Sequence, residues 1–360
     1  MRPETLAIRT QTERTGEKEH STPLFLTSSF VYDSAEDMAA AFSDDSLDVN
    51  IYSRFSNPSV DEFIKKVCLM EGAEDGIATA TGMAAVNACF MTFLSAGDHV
   101  ISASAVFGST HAILTKYLPK WGIEYSYFDM NKPESIEALV KSNTKLLYVE
   151  TPSNPGLDII DLDRIGAITK KHGIIFAVDN CFATPLLQRP IDHGADVSIH
   201  SATKYIDGQG RVLGGVICGK KVYMDEIRFF ARHTGPSLSP FNAWILSKSL
   251  ELLDLRMQKH SENAQTLAEA LEGHAAVNNV KYPFLKSHPQ YDLAKRQMKY
   301  GGGILTIDVK GGFEKVVAMS KLLKIASISP NLGDSRTIIT HPASTTHAKI
   351  PAEEKAALGI

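Results

Sequence analysis

Ile174-Ile175-Phe176-Ala177-Val178-Asp179 and Val197-Ser198-Ile199-His200-Ser201-Ala202-Thr203-Lys204-Tyr205 are the stretches whose reading decides the fold. Each begins as a short apolar or β-branched run, the pattern of a strand covered on both faces, and each ends in polar residues. His99 to Ala103 and Leu146 to Glu150 have the same texture. Between these runs, Ala84 to Leu94, Ser109 to Lys120, Pro133 to Ser142 and Leu162 to His172 carry apolar residues at helical spacing, several closing near Gly or Asn. The alternation from Gly76 to about Tyr205 predicts an α/β domain built on a mostly parallel sheet.

On the N-terminal side, residues 1–50 read as an extended arm with one helix near Ser34 to Phe42, and such arms often reach a neighbouring subunit. Residues 51–240 form the expected large domain. The turn-rich Gly235-Pro236-Ser237-Leu238-Ser239-Pro240 marks its end, and a long helical pattern from Asn242 to about Glu272 follows. Gly301-Gly302-Gly303, a strand-like Ile304 to Val309 and a helix from about Phe313 to Leu323 then predict a smaller α+β domain over residues 241–360.

The chain has 360 residues, 44% hydrophobic and 22% charged, with a formal net charge of −4. That balance provides no basic field for nucleic acid and points to a small-molecule ligand. Cys68, Cys89, Cys181 and Cys218 are scattered, without the spacing of a disulfide scaffold or zinc site, which fits a reducing cytoplasm. Met1 to His20 lacks the apolar core of a signal peptide, and no run approaches the roughly 20 apolar residues of a membrane span.

Three pieces at strand ends suit one ligand, because open α/β sheets bind at the carboxyl ends of their strands. Thr79-Ala80-Thr81-Gly82-Met83-Ala84 runs from a strand into a helix. Its small residues either let backbone N–H groups and the helix dipole hold a phosphate or simply make a tight turn at Gly82. Asp179 ends an apolar strand and needs a cationic partner, unless it only caps the next loop. The protonated ring nitrogen of pyridoxal 5'-phosphate (PLP) is such a partner. Lys204 directly follows a β-run, where desolvation lowers an amine's pKa as Schiff-base chemistry requires, and Ser201 and Thr203 add hydroxyls for the same phosphate.

Tyr52-Ser53-Arg54-Phe55-Ser56-Asn57-Pro58, Thr81-Gly82-Met83-Ala84, Glu150-Thr151-Pro152-Ser153-Asn154-Pro155, Val178-Asp179-Asn180, Ser201-Ala202-Thr203-Lys204-Tyr205 and His341-Pro342-Ala343-Ser344-Thr345-Thr346-His347 together resemble the Cys/Met metabolism PLP enzymes. The resemblance runs in the family's order from about Thr22 to the last residue. It implies the aspartate-aminotransferase-like fold, fold type I, and a homotetramer made of two tight dimers. By position it implies Lys204 as the Schiff-base lysine, Asp179 as the ring-nitrogen partner, and Gly82, Met83, Ser201 and Thr203 as the phosphate cradle. Asn154 joins the cofactor contacts, and Tyr52 and Arg54 resemble the pair that reaches the neighbouring subunit's phosphate.

Ser201 to Gly215, Gly235 to Trp244 and Asn331 to Thr337 most resemble the branch that replaces the succinyl ester of O-succinylhomoserine by sulfide to give homocysteine. Relatives that use acetyl esters, cysteine or methionine share most of these residues. Phe107 stands where many members have a Tyr that stacks on the cofactor ring and moves a proton; Phe107 stacks without donating, which weakens a methionine-lyase reading. The arginine that grips the substrate carboxylate in relatives is expected just beyond Ile360. A non-catalytic PLP-binding protein is the reading of a different class. No metal is expected: His341 and His347 are six apart, which does not put them on one helical face, and no Cys or carboxylate cluster joins them. Gly208-Gln209-Gly210-Arg211-Val212-Leu213-Gly214 has the wrong spacing for a dinucleotide loop and reads as a mobile loop beside the cofactor.

Overall fold

The computed structural model of the chain describes residues 1–44, 47, 49–345, 347 and 348. Thr346 of the His341–His347 segment and the closing Gly359-Ile360 lie outside the described residues.

The central sheet has seven strands, β1 (Asp75–Thr79), β2 (His99–Ala103), β3 (Glu124–Phe128), β4 (Thr144–Glu150), β5 (Ile175–Asp179), β6 (Val197–His200) and β7 (Gly215–Gly219). Their order is β1-β7-β6-β5-β4-β2-β3. From β6 through β5, β4 and β2 to β3 every pairing is parallel, whereas β7 runs antiparallel to both β6 and β1. The expected α/β fold is thus present, with β7 as the one reversed strand of this sheet. The apolar runs read in sequence are central strands because both faces are covered: every residue of β2, β6 and β7 is buried. His99 fits inside because its ring nitrogens meet the hydroxyls of Thr144 at 2.8 Å and Ser126 at 2.9 Å.

The arm carries α1 (Pro3–Arg9) and α2 (Ala35–Ser43), and the sheet is flanked by α3 (Pro58–Glu71), α4 (Gly82–Phe93), α5 (Gly108–Ala112), α6 (Ser135–Leu139), α7 (Leu162–His172), α8 (Thr184–Leu187) and α9 (Lys221–Thr234). α7 matches its expected bounds, with Asp161 capping one end and Gly173 in the left-handed region closing the other. The segment from Ser109 to Lys120 is not one helix. After α5 it passes through a π turn, Ile113–Tyr117, and a 3-10 turn, Leu118–Trp121. Pro119 has no N–H for the preceding turn, so a new turn starts beside it, and Gly122 at φ 72° ends it.

The long pattern from Asn242 also divides, into α10 (Pro240–Leu250) and α11 (Leu253–Leu271). No Gly or Pro lies at the break; the reason is tertiary. α10 shares a core with α3, through Ala243, Leu246 and Leu250 against Val60, Phe63 and Val67, and Glu251 turns back to Lys66 at 3.4 Å. Farther along lie α12 (Tyr291–Gln297), the antiparallel pair β8 (Val277–Lys281) and β9 (Thr306–Val309), α13 (Gly312–Ser320), and the short parallel pair β10 (Ser327–Ile328) and β11 (Ile338–Ile339).

One buried carboxylate ties the arm down. Glu62, on α3, accepts from Thr22 Oγ1 at 2.6 Å, Thr12 N at 2.8 Å and Ser247 Oγ at 2.7 Å, and pairs with the fully buried Lys66 at 3.1 Å. Residues 12–22 are therefore held on their own subunit. Truncating Glu62 leaves Lys66 without its nearest carboxylate, a loss of about 3–5 kcal/mol for a buried pair. Glu62→Ala is expected to lower the denaturation midpoint accordingly and to open residues 10–22 to protease, both measured against the wild type.

Candidate active site

The register of the parallel strands brings the site together. Glu150 and Asp179, the last residues of β4 and β5, are side-by-side partners, and Asn180 N donates to Ile199 O at 2.9 Å. β6 ends at His200, where the chain coils tightly through Ser201 to Lys204, closed by Lys204 N donating to Ser201 O at 3.1 Å. Lys204 thus emerges at the carboxyl edge of the sheet beside Asp179. Among the described residues its amine has no hydrogen-bond or ion-pair partner.

The backbone around Lys204 is clamped from the C-terminal part of the chain. The half-buried Arg256 of α11 donates to the carbonyls of Tyr205 at 2.6 Å and Ile206 at 3.3 Å. A Cβ on Gly333, at φ 80°, would lie 2.7 Å from the Lys204 carbonyl carbon, so the 331–337 segment lies directly on Lys204. Ser335 N donates to Gly208 O at 2.8 Å, and Asp207 accepts Arg211 N at 2.7 Å. The glycine-rich loop from Gly208 is therefore strapped at both ends. Thr203 Oγ1 donates to Gly214 O at 3.3 Å and accepts Gly214 N at 3.1 Å, which fixes its hydroxyl toward β7.

α4 points its N-terminus at the same place. Thr81 caps it by accepting Ala84 N at 3.1 Å, while the N–H groups of Gly82 and Met83 take no protein acceptor among the described residues. A Cβ on Gly82 would lie 2.5 Å from Ser201 Cβ and 2.8 Å from Ser201 Cα, so only glycine lets the helix start approach the Ser201 turn this closely. Open N–H groups at a helix start, beside a hydroxyl-bearing turn, suit a phosphate. The phosphate of PLP would fit such a place.

Asp179 is the charged floor. Its Oδ1 accepts Cys181 N at 2.9 Å and its Oδ2 lies 3.5 Å from the Tyr148 hydroxyl. Burial pushes its pKa up, against the pull of the Cys181 N–H, His200, Tyr148 and Lys204. No cation pairs with it within salt-bridge distance among the described residues, which fits a site completed by a cationic ring nitrogen. Glu150 is pushed up as well, by burial first and then by the Asp179 charge. Its Oε2 accepts the backbone N–H of Phe107 at 2.8 Å, which ties the Phe107 loop to the strand ends.

Two residues of this environment carry no signal in the sequence reading. Glu71, at the end of α3, accepts at one oxygen from Asn180 Nδ2 at 2.9 Å and Ser198 Oγ at 3.0 Å, and meets His200 Nε2 at 2.6 Å. Glu71 and His200 are both buried. Only the fold joins residues so far apart in sequence; their carboxylate and imidazole types were the one available hint.

Tyr52 and Arg54 have no contact with the Lys204 cluster among the described residues. Both are exposed; Arg54 donates to Arg232 O and lies 4.7 Å above the Phe55 ring. Asn154 is half-buried between Ser153 and Pro155 and makes no side-chain hydrogen bond among the described residues. His341 meets Ser344 Oγ at 2.8 Å, a local turn contact.

The family model for Cys/Met metabolism PLP-dependent enzymes matches residues 4–360, and the chain belongs to that family. It is 46% identical to the O-succinylhomoserine sulfhydrylase of Pseudomonas aeruginosa, over 99% of this chain and 88% of that one. It is 40% identical to the L-methionine gamma-lyase of Treponema denticola, over 94% and 86% of the two chains. Among solved structures, an O-acetylhomoserine (thiol)-lyase assigned in Campylobacter jejuni superposes with a TM-score of 0.95 at 32% identity, covering 100% of this chain and 94% of that chain; it carries N'-pyridoxyl-lysine-5'-monophosphate. A cystathionine gamma synthase from Xanthomonas oryzae, at 34% identity, gives 0.93 and covers 100% and 91%. The fold is the aspartate-aminotransferase-like fold type I, and PLP is the family's cofactor.

The crowding at Gly82 makes a sharp expectation. In Gly82→Ala the new methyl must push α4 away from Ser201, and PLP affinity should fall by about tenfold or more, given the 1–3 kcal/mol that overpacking costs. Titration of the apoprotein with PLP, followed by absorbance, measures this.

Proposed function

We propose that this protein is a γ-replacement enzyme that forms homocysteine from O-succinylhomoserine and sulfide. The observation that carries the reading is Phe107, a half-buried ring without a hydroxyl, whose backbone is bonded to Glu150 beside Asp179 and Lys204. In this reading Phe107 stacks on the cofactor but donates no proton to a leaving group. Succinate leaves without strong acid assistance, whereas a thiolate leaves less readily. The similarity to an O-succinylhomoserine sulfhydrylase supports the same choice.

When bound, PLP supplies the electron sink that acidifies the substrate's Cα proton. The side chains are assigned around that need. Lys204 would hold the cofactor covalently; once free, its amine would take the Cα proton, give it up, and take one from Cβ as succinate departs from Cγ, and after sulfide adds at Cγ it would return a proton to each carbon. Asp179 keeps the ring nitrogen protonated. The N–H groups of Gly82 and Met83 and the hydroxyl of Ser201 take the phosphate, joined by that of Thr203 when its proton turns from Gly214 O; Asn154 adds a contact, and Tyr52 and Arg54 reach the phosphate of the partner subunit. The arm supports a partner: Leu26, Val31 and Phe42 are exposed apolar residues, and Val31 is 98% exposed. The assembly proposed is a homotetramer of two such dimers, acting in the cytoplasm.

The purified protein should show the visible absorption of lysine-bound PLP, and Lys204→Ala should lose it. Product analysis should show homocysteine from O-succinylhomoserine with sulfide, and weak or no cleavage of methionine. Rapid methionine cleavage without replacement on O-succinyl- or O-acetylhomoserine would overturn the replacement reading and favour a γ-lyase.

The shared-site assignment has its own test. A Lys204→Ala subunit paired with an Arg54→Ala subunit makes one site with both lesions and one intact site. Activity should therefore return on mixing the two inactive variants under conditions where subunit exchange is demonstrated. No recovery would mean that each subunit builds its site alone.

A further inference from the structure

Tyr148 presents one hydroxyl proton to two carboxyl groups. Its Oη lies 3.1 Å from Glu150 Oε1 and 3.5 Å from Asp179 Oδ2. Tyr148 is fully buried and Glu150 only 6% exposed, so water does not settle the competition. Three oxygens in a chain need two protons if each step is to have a donor and an acceptor. With both carboxyls ionised there is only one, and one contact sets acceptor against acceptor in a desolvated place. A proton on Glu150 Oε1 resolves the chain: Glu150 donates to Tyr148 Oη, and Tyr148 donates to Asp179 Oδ2. The second oxygen of Glu150 is already committed, accepting Phe107 N.

We propose that Glu150 is a positioning residue of the cofactor site, acting as an un-ionised acid through Tyr148 on Asp179 and through the backbone of Phe107 on the ring that covers the cofactor. The proposal rests on the roles given above to Asp179 and Phe107. Adjacent burial of two carboxyls at neighbouring strand ends favours one shared proton, and burial with the Asp179 charge pushes the Glu150 pKa upward. The surroundings of Asp179 favour its ionised form more than those of Glu150: the Cys181 N–H meets its other oxygen, and the His200 and Lys204 side chains lie on its side and pull against the effect of burial. Glu150 has no such cation. Its neighbours are a phenol, a backbone N–H and the buried hydroxyl of Thr110, all suited to a neutral carboxyl. One acid thus sets the hydrogen bonding of the residue assigned to the ring nitrogen and the placement of the residue assigned to cover the ring.

Glu150→Gln is the decisive variant, since an amide reproduces the neutral acid: its NH2 donates to Tyr148 and its oxygen accepts Phe107 N. We expect it to bind PLP within about threefold of the wild type and to leave the visible circular dichroism of the bound cofactor unchanged. Glu150→Leu should weaken PLP binding by about tenfold or more, as expected when buried partners are left unpaired, and should alter the dichroism. Tyr148→Phe keeps the edge contact with Phe90, at 5.1 Å, but removes the link, and should also weaken binding. The double variant Tyr148→Phe/Glu150→Leu should be no weaker than Glu150→Leu alone, because the two act in one chain. Glu150→Gln as impaired as Glu150→Leu would overturn the proposal by requiring an ionised carboxylate. An unperturbed Glu150→Leu would overturn it by removing any role. If Glu150→Leu does not fold, Glu150→Gln and Tyr148→Phe decide between them: an impaired Gln variant or a normal Phe variant overturns it, and the reverse pair supports it. A wild-type protein that binds no PLP at Lys204 would instead overturn the cofactor site assigned under the proposed function, separately from any difference among these variants.

Discussion

The carboxylate of Glu71 is the interaction on which the site depends. It sits at the end of α3 with no exposure to solvent, and one of its oxygens gathers Asn180, Ser198 and His200. Asn180 follows Asp179, and His200 precedes the Ser201 to Lys204 turn. A single buried charge therefore fixes the ends of β5 and β6 relative to each other. Such a group is costly to bury: the imidazole and two donors answer one oxygen, while Oε2, like His200 Nδ1, has no hydrogen-bond partner among the described residues. This cost yields placement: the ends of β5 and β6 are held by bonds to α3, next to Asp179 and Lys204 at the carboxyl edge of the sheet.

The network continues beneath the sheet. Asn180 accepts from Gln188 Nε2 at 3.0 Å, and Gln188 Oε1 accepts from Gln297 Nε2 at 2.8 Å. Gln297 lies on α12 and also bonds the backbone of Ile160 and Leu162 at 3.0 Å each. A buried polar chain of this kind joins the C-terminal part of the molecule to the strand ends and rewards only one arrangement of both. The Arg256 clamp and the Gly333 contact do the same from the other side of Lys204. The lysine backbone is thereby held while its side chain remains without a partner, which is what a residue that exchanges covalent bonds and protons requires.

Above this frame the polar groups are divided by charge. Asp179 accepts the Cys181 N–H and has no paired cation among the described residues, and Glu150 faces a phenol and an N–H. The two carboxyls begin as equivalent strand-end residues, and their surroundings separate them. At α4, placement depends on an absent atom: without a side chain on Gly82, the helix start and the Ser201 turn come close enough for one anion to touch both.

The sequence by itself determined the parallel α/β core. Apolar runs long enough only for strands, with Asp179 closing β5 and Gly82 and Lys204 a few residues past β1 and β6, specify the sheet and bring these residues to its carboxyl edge. The bounds of β2, β6 and α7 follow from local composition and caps, so they were legible. Tertiary structure alone decided the reversal of β7, the break between α10 and α11, and the joining of Glu71 to His200 and of Glu150 to Tyr148 and Phe107. Each of these depends on a partner far away in the chain, and side-chain pattern within a segment carries no record of such a partner. Periodicity reports which face of a segment is buried. Which charge is answered there, and by what, is fixed only when distant segments meet and every buried polar group must find its bond.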